Sequence, residues 1–294
     1  MPARIFDTAG TAAAIRAEVE AGVGALREAG IVPVLAAVMG GQDPASVSYV
    51  RAIRRAAERA GIQLRQVTLD PAAGDAGLRR TIADLNGDPG VHGVIVLFPL
   101  PAPFTQRAVA ETLDARKDVD GITPANLGRL ALNQPAMVAS TPLGGMELLR
   151  RHGIDVRGLE ATVVGRGVVV GRPLALLLIN AHATVTVCHT ATRDLAAACR
   201  RADLLCAATG RPGVITAEMI KPGAIVLDFG TSPGPDGRLV GDVDFAGAQA
   251  VASWITPESG GTGPVTTAVL LRNTLEAARR QTGTLSSERG SVPR

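Results

Sequence analysis

The stretch Ala161-Thr162-Val163-Val164-Gly165-Arg166-Gly167-Val168-Val169-Val170-Gly171 decides the fold. Ala161–Val164 reads as a buried strand that runs straight into glycines and then, from Val170 to Ala181, into a helical pattern. Glycines between a strand and a helix N-terminus let backbone N–H groups approach a pyrophosphate, and the helix end favours its negative charge. The spacing is G-x-G-x-x-x-G, one residue longer than the usual dinucleotide fingerprint, and a plain strand–helix turn would use the same glycines. The next strand, Thr184–Cys188, ends in Cys188-His189-Thr190 without the Asp or Glu that would hydrogen-bond a ribose 2′-hydroxyl. Arg166, Thr190 and Arg193 offer positive charge and a hydroxyl there instead, which favours NADP over NAD.

The pattern continues on both sides of this stretch. Downstream come a helix at Arg193–Arg201, a strand at Leu204–Ala208, a short helix near Ala217–Ile220 and a strand at Ala224–Phe229. A closing helix, Pro264–Arg280, follows Gly260-Gly261-Thr262-Gly263. Upstream, a helix at Pro142–His152 is preceded by helices at Ala9–Ala29, Asp43 or Pro44 to Ala60, and Ala76–Leu85. These alternate with strands at Pro33–Val38, Leu64–Leu69 and Gly93–Phe98. Such alternation predicts an α/β protein with two mostly parallel sheets: an N-terminal α/β catalytic domain and a C-terminal Rossmann-type NAD(P)-binding domain.

At 294 residues the chain can bury two cores without disulfides or metals. Hydrophobic residues make up 46% but aromatics only 2%, so Ala, Val, Leu and Ile must fill those cores, as buried parallel strands require. The formal charge is +3 with the basic residues spread along the chain, which argues against nucleic acid as a partner. Cys188, Cys199 and Cys206 form no C-x-x-C pair and read as buried free thiols of a reducing compartment. Charged residues from Arg4 to Glu28 break any apolar leader core, and Arg172, Pro173, Asn180 and His182 break the apolar stretch Val168 to Val187. A cytoplasmic protein without a membrane partner is expected. The four histidines show no metal-ligand spacing, and neither a G-x-S-x-G elbow nor a phosphate loop is present. No metal site is expected.

Further motifs stand in a fixed order: Asp43-Pro44-Ala45-Ser46 before Tyr49-Val50, Val91-His92-Gly93 before Pro99-Leu100-Pro101, and Lys117-Asp118-Val119-Asp120-Gly121. Thr141-Pro142, Val164-Gly165-Arg166, Ala208-Thr209-Gly210, Ile220-Lys221-Pro222-Gly223 and Val240-Gly241-Asp242-Val243 follow, then Ile255-Thr256-Pro257 and Gly260-Gly261-Thr262-Gly263-Pro264. With these motifs the chain resembles the methylenetetrahydrofolate dehydrogenase/methenyltetrahydrofolate cyclohydrolase family from about Gly10 to Arg280. The resemblance implies a homodimer whose subunits hold a tetrahydrofolate derivative in a cleft between residues 1–139 with 262–285 and the NADP domain, 140–261. It implies a last helix that packs back on the first domain and a frayed tail, 286–294. Tyr49 would stack on the folate, Asp120 would hydrogen-bond the pterin, and Gly263 and Pro264 would border the substrate. Gly165, Arg166, Gly167, Thr190 and Thr231 would line the cofactor site.

Two positions depart from the family. Its lysine one helical turn after the tyrosine is Ile53 here, and its glutamine before Pro-Leu-Pro is Leu97. Gly167, Thr190, Glu258 and Ser259 are milder departures. Oxidising a methylene between two nitrogens needs a hydride acceptor and the nitrogen lone pairs, whereas hydrolysing the methenyl product needs a positioned acid or base. The expectation is an NADP-dependent methylenetetrahydrofolate dehydrogenase with cyclohydrolase activity lost or much reduced. Two readings compete with it: a reductase of another imine or iminium compound, and a non-catalytic dinucleotide or folate binder. By pattern alone Ile53 is a core residue beside Val50 and Ala57, and Asp-Val-Asp-Gly is a good turn. Arg51, Arg54, Arg55 and Arg59 read most simply as a solvated helix face, with the glutamate tail of a folate as the functional alternative.

Overall fold

A computed structural model describes residues 2–41, 44–234 and 239–284; Asp43, expected to open the second helix, and the tail 286–294 lie outside the described residues. In chain order the elements are β1 (Arg4–Ile5), α1 (Thr8–Glu28), β2 (Val34–Gly40), α2 (Pro44–Ala60), β3 (Gln63–Leu69), α3 (Gly74–Gly87), β4 (Gly93–Val96), α4 (Gln106–Thr112) and α5 (Pro124–Ala131). Then come α6 (Ser140–Arg151), β5 (Glu160–Val164), α7 (Gly171–Asn180), β6 (Thr184–Cys188), α8 (Leu195–Arg201), β7 (Leu204–Ala207) and β8 (Ile225–Asp228). The chain ends with β9 (Ser232–Pro233), β10 (Leu239–Val240), α9 (Phe245–Val251), β11 (Trp254–Ile255) and α10 (Gly263–Thr282). These form two compact units: Ala13–Ser140 with the chain from Thr267, and Thr141–Thr266 with the chain up to Ala12.

The first unit is built on the parallel sheet β3-β2-β4. Its central strand reads Leu35-Ala36-Ala37-Val38-Met39, all buried, because a strand flanked on both edges and covered on both faces has no polar side to show. From α2, Val50, Ile53, Ala57 and Ala60 point inward at helical spacing. The C-terminal helix α10 closes this core: Asn273 Nδ2 donates to the carbonyls of Val119 (2.8 Å) and Val138 (2.9 Å), and Gln281 Nε2 to that of His92 (2.6 Å). The last helix thus packs on the first unit, as expected.

The second unit is a parallel six-stranded sheet of order β1-β11-β8-β7-β5-β6. Here the structure departs from the sequence reading, which grouped the first residues with those up to 139. Arg4 pairs with Trp254 and Ile5 with Ile255, so β1 is an edge strand of the second sheet. A two-residue strand carries no alternation to announce it. Ring packing secures it: Phe6 lies 5.0 Å from both His152 and Trp254, and the Asp7 amide donates to His152 Nε2 at 3.1 Å. The segment expected as a short helix near Ala217–Ile220 is a single 3₁₀ turn, Ala217–Met219. All three cysteines are free and buried, and burial pushes the Cys199 thiol up to about 12. Among the described residues no helix is long and apolar enough to cross a membrane.

One buried histidine makes the first unit sensitive to acid. The Val34 amide donates to His92 Nδ1 at 3.1 Å, which requires an unprotonated nitrogen, and burial, then the charge of Lys117, push the imidazole below its ordinary value. The unfolded chain takes up a proton near pH 6.5 while the folded one resists it, so stability falls as the pH drops below about 6.5. His92→Asn leaves an oxygen where Nδ1 stood and removes the titration. Urea midpoints at pH 7.5 and 5 are expected to draw together in that variant relative to the parent; an unchanged difference would show that His92 is not the titrating group.

Candidate functional site

In the second sheet β5 lies between β6 and β7, so the chain leaves it first to one side and then to the other. Dinucleotides bind at the carboxyl ends of strands where the order reverses in this way. Gly165, the first residue after β5, has φ +124°, and a Cβ there would fall on the Ala208 carbonyl at the exit of β7. Gly171 opens α7, and its Cβ would fall on the carbonyl of Gly165. Strand exit, loop and helix start are in direct backbone contact, which no side chain at either glycine would permit. The space beside Gly167 is open. No side chain caps α7 at Val170; in its first turn the Arg172 amide donates to the Gly167 carbonyl at 3.0 Å and Pro173 brings no N–H.

The other residues expected at the cofactor site fall on the same side of the sheet. Arg166 is exposed, and its carbonyl accepts a hydrogen bond from Arg172 Nε at 3.1 Å. Thr190 follows β6 in a turn held by the His189 amide donating to Thr192 Oγ1 (2.9 Å), and Thr231 follows β8; both are exposed. Gly165, Gly167, Thr190 and Thr231 therefore lie beyond the carboxyl ends of β5, β6 and β8, and the cradle that a Cβ would fill fits a dinucleotide.

Two carboxylates at this end, Asp228 half-buried and Asp242 fully buried, escaped the sequence reading. Asp228, the last residue of β8, accepts from the amides of Gly230 (2.8 Å), Asp242 (3.0 Å) and Val243 (2.9 Å). Asp242, fully buried, accepts from the amides of Thr209, Gly210 (3.1 Å) and Arg211 (3.0 Å). Burial raises the Asp228 carboxyl above the usual range against the pull of its amide donors, and the charge of Asp242 adds to the rise. The signal was present: an acid ending the apolar run Ile225–Leu227, and another between Val240 and Val243, are drawn wholly or partly out of water and therefore have to be bonded.

In the first unit β2 likewise lies between β3 and β4, and the residues expected around the substrate gather past its carboxyl end. Gly40 ends β2, and a Cβ on it would press on Pro101 Cδ at 2.7 Å. The Leu97 amide donates to Val38 at 2.9 Å, which sets Leu97 at the sheet with its side chain buried. Tyr49 and Ile53 are one turn apart on α2; Tyr49 is half-buried and Ile53 fully buried. Burial, then the charge of Asp120, raise the Tyr49 phenol, so it stays neutral across the ordinary pH range.

Asp120 is itself buried, and its Oδ1 accepts from the Ser140 amide and hydroxyl, both at 3.2 Å. Burial raises its carboxyl despite these bonds, and the nearby charge of Asp118 adds to the rise. Asp118 shapes the turn by accepting from the amides of Ile122 (3.1 Å) and Thr123 (2.9 Å) and from Asn126 Nδ2 (2.9 Å). Within Asp-Val-Asp-Gly one acid thus builds the turn, while the other carries a charge close enough to raise the Tyr49 phenol.

Only two lysines exist in the chain. Lys117 Nζ donates to the carbonyls of Leu85 (2.9 Å) and Asp88 (2.6 Å), and Lys221 pairs with Asp203 at 2.6 Å. Both amines are committed elsewhere. Gly263 and Pro264 open α10 after Gly260 (φ +80°) and Gly261 (φ +46°) and belong to the second unit by chain. Of the four arginines on α2, Arg54 bonds Gln66 Oε1 at 3.0 Å, while Arg51, Arg55 and Arg59 are exposed.

Fold and glycine loop together define a two-unit α/β protein with a dinucleotide-binding sheet. Residues 6–120 match the catalytic domain of tetrahydrofolate dehydrogenase/cyclohydrolase, and residues 139–282 match its NAD(P)-binding domain. The bifunctional protein FolD of Roseiflexus castenholzii is 51% identical over 283 residues, covering 96% of this chain and 98% of that protein. The structure of FolD-methylenetetrahydrofolate dehydrogenase/cyclohydrolase from Campylobacter jejuni superposes with a TM-score of 0.91 at 39% identity, over 94% of this chain and 98% of that one. That of the Trypanosoma brucei N5,N10-methylenetetrahydrofolate dehydrogenase-cyclohydrolase, complexed with NADP cofactor and inhibitor, gives 0.91 at 38% identity, over 96% and 99%. The chain belongs to the tetrahydrofolate dehydrogenase/cyclohydrolase family.

The glycine loop makes a direct prediction. Gly165→Ala puts a Cβ on a backbone carbonyl at a positive φ, so it is expected to destabilise the second unit by about 2–4 kcal/mol and to abolish measurable NADP binding. Thermal unfolding and calorimetric titration check this; a variant with the parent's melting temperature and affinity would refute the close contact.

Proposed function

We propose that this protein is an NADP-dependent methylenetetrahydrofolate dehydrogenase, producing the 5,10-methenyl compound, whose cyclohydrolase activity is lost or much reduced. The observation that carries the reading is a buried, apolar Ile53 one helical turn after Tyr49 and a buried, apolar Leu97 held at the sheet by Val38, with both lysines of the chain tied up elsewhere. NADP, when bound, supplies the hydride acceptor. The push comes from the substrate's own nitrogen lone pairs, so no side-chain base is required for this step.

In this reading Tyr49 gives the pterin a neutral aromatic face. Asp120, its carboxyl raised by burial, hydrogen-bonds the ring while Ser140 holds the carboxylate in place. Arg166, Thr190 and Arg193, in place of an acid after β6, support NADP over NAD. Gly263 and Pro264 border the substrate, and Thr231 the cofactor. The family resemblance also supports a homodimer working in the cytoplasm.

Hydrolysis is a different demand, because water must be activated and protons moved. Ile53 can do neither. Its burial stabilises the fold by roughly 2 kcal/mol, whereas an ammonium at the same depth would need a partner to offset its lost hydration. Leu97 removes the amide that could have been that partner.

Restoring the pair tests the reading. Added methenyltetrahydrofolate is expected to decay with the wild-type protein no faster than in buffer, and the double variant Ile53→Lys with Leu97→Gln to raise the decay at least tenfold. Wild-type decay well above the buffer rate would sink the proposal.

A further inference from the structure

Asp228, half-buried, and Asp242, fully buried, have no chemistry to perform in the reaction proposed above, and hydrophobic burial alone gives no reason for them. Burying a carboxylate is costly unless it is bonded, and each of these accepts from three backbone amides. Backbone bonds from Gly213 to Gly241 (3.4 Å), Ile215 to Asp242 (3.1 Å) and Asp244 to Ile215 (2.8 Å) join the same segments just past the loop, but none of them reaches residues 209–211 themselves. The bonds run in series. Asp228, at the end of β8, takes the Asp242 amide on Oδ1 and the Val243 amide on Oδ2, which pulls the chain after β10 onto the strand end. Asp242 then takes the amides of Thr209, Gly210 and Arg211, gathering the exit loop of β7 around one carboxylate. The residue just before that loop is Ala208, whose amide donates to Val164 at 2.8 Å and whose carbonyl lies where a Cβ of Gly165 would stand. A connected path therefore leads from β8 through both carboxylates to the wall of the glycine loop. It also fixes Gly230, next to Thr231.

We propose that Asp242, held by Asp228, is a positioning residue for the cofactor: it fixes the 208–211 loop against Gly165 and so sets the shape of the surface that NADP must meet. The inference rests on the reading that the second unit binds NADP. It assigns neither acid a contact with cofactor or substrate. An amide at position 242 cannot serve in its place, because an Asn presents one oxygen and one NH₂ to three N–H donors, leaving at least one of them facing a donor.

The test compares Asp242→Asn with the parent in the full-length protein, by calorimetric titration with NADP and by steady-state kinetics with methylenetetrahydrofolate. The expected result is a rise of at least tenfold in the Kd and KM for NADP, with the KM for the folate changed less than twofold. Parent and variant binding NADP equally well, or folate and NADP constants rising together, would overturn the proposal. A parent that binds no NADP at all would instead contradict the cofactor reading on which it rests.

Should Asp242→Asn fail to fold, Gly210→Ala probes the same loop from the surface. Gly210 has φ +66° and open space where a Cβ would stand, so the substitution strains only the loop backbone. It is expected to show the same NADP-specific rise; a folded Gly210→Ala with parental NADP constants would count equally against the proposal.

Discussion

The contact of Gly165 with the carbonyl of Ala208, and of Gly171 with the carbonyl of Gly165, is the constraint on which the second unit turns. It joins the exits of two neighbouring strands and the start of a helix without a side chain between them. This is possible only because β5 is the strand from which the order reverses, so that β7 lies directly beside it. The apolar strands Ala161–Val164 and Leu204–Ala207 hold the sheet at that point by burial, and the glycines let the backbone close over it. Cofactor geometry and sheet topology are one fact here.

The first unit repeats the logic with different chemistry. β2 is again the strand from which the order reverses, and the residues past its carboxyl end are set by local hydrogen bonds: Leu97 to Val38, Asp118 to its own turn, and Asp120 to Ser140. What differs from the family expectation lies in two side chains within this frame. Ile53 and Leu97 fit the core as any aliphatic residue would and bring neither an amine nor an amide to this frame. The frame is held by backbone bonds and by neighbours such as Val50 and Ala57.

Much of this was legible in the sequence. The apolar strands of both sheets, the α2 stripe, the glycine loop and the closing helix all carry periodicity or punctuation over enough residues to be read. The edge pairing of β1 with β11 was not, because two residues show no period and their partner lies some 250 positions away. Asp228 was seen only as part of the strand Ala224–Phe229 and Asp242 only within the motif Val240–Val243; their role depends on which amides the fold brings to them, and spacing does not report that. Asp120 could be read as a turn residue until the structure set it against Ser140 and near Tyr49.

The proposal of a folate-oxidising site without a hydrolytic one has a single most direct measurement: NADPH and methenyltetrahydrofolate followed together as the purified protein turns over methylenetetrahydrofolate with NADP. The account predicts that both rise mole for mole and that the methenyl compound then decays only as fast as it does in buffer. NADPH without accumulating methenyl product, or no NADPH at all, would contradict it.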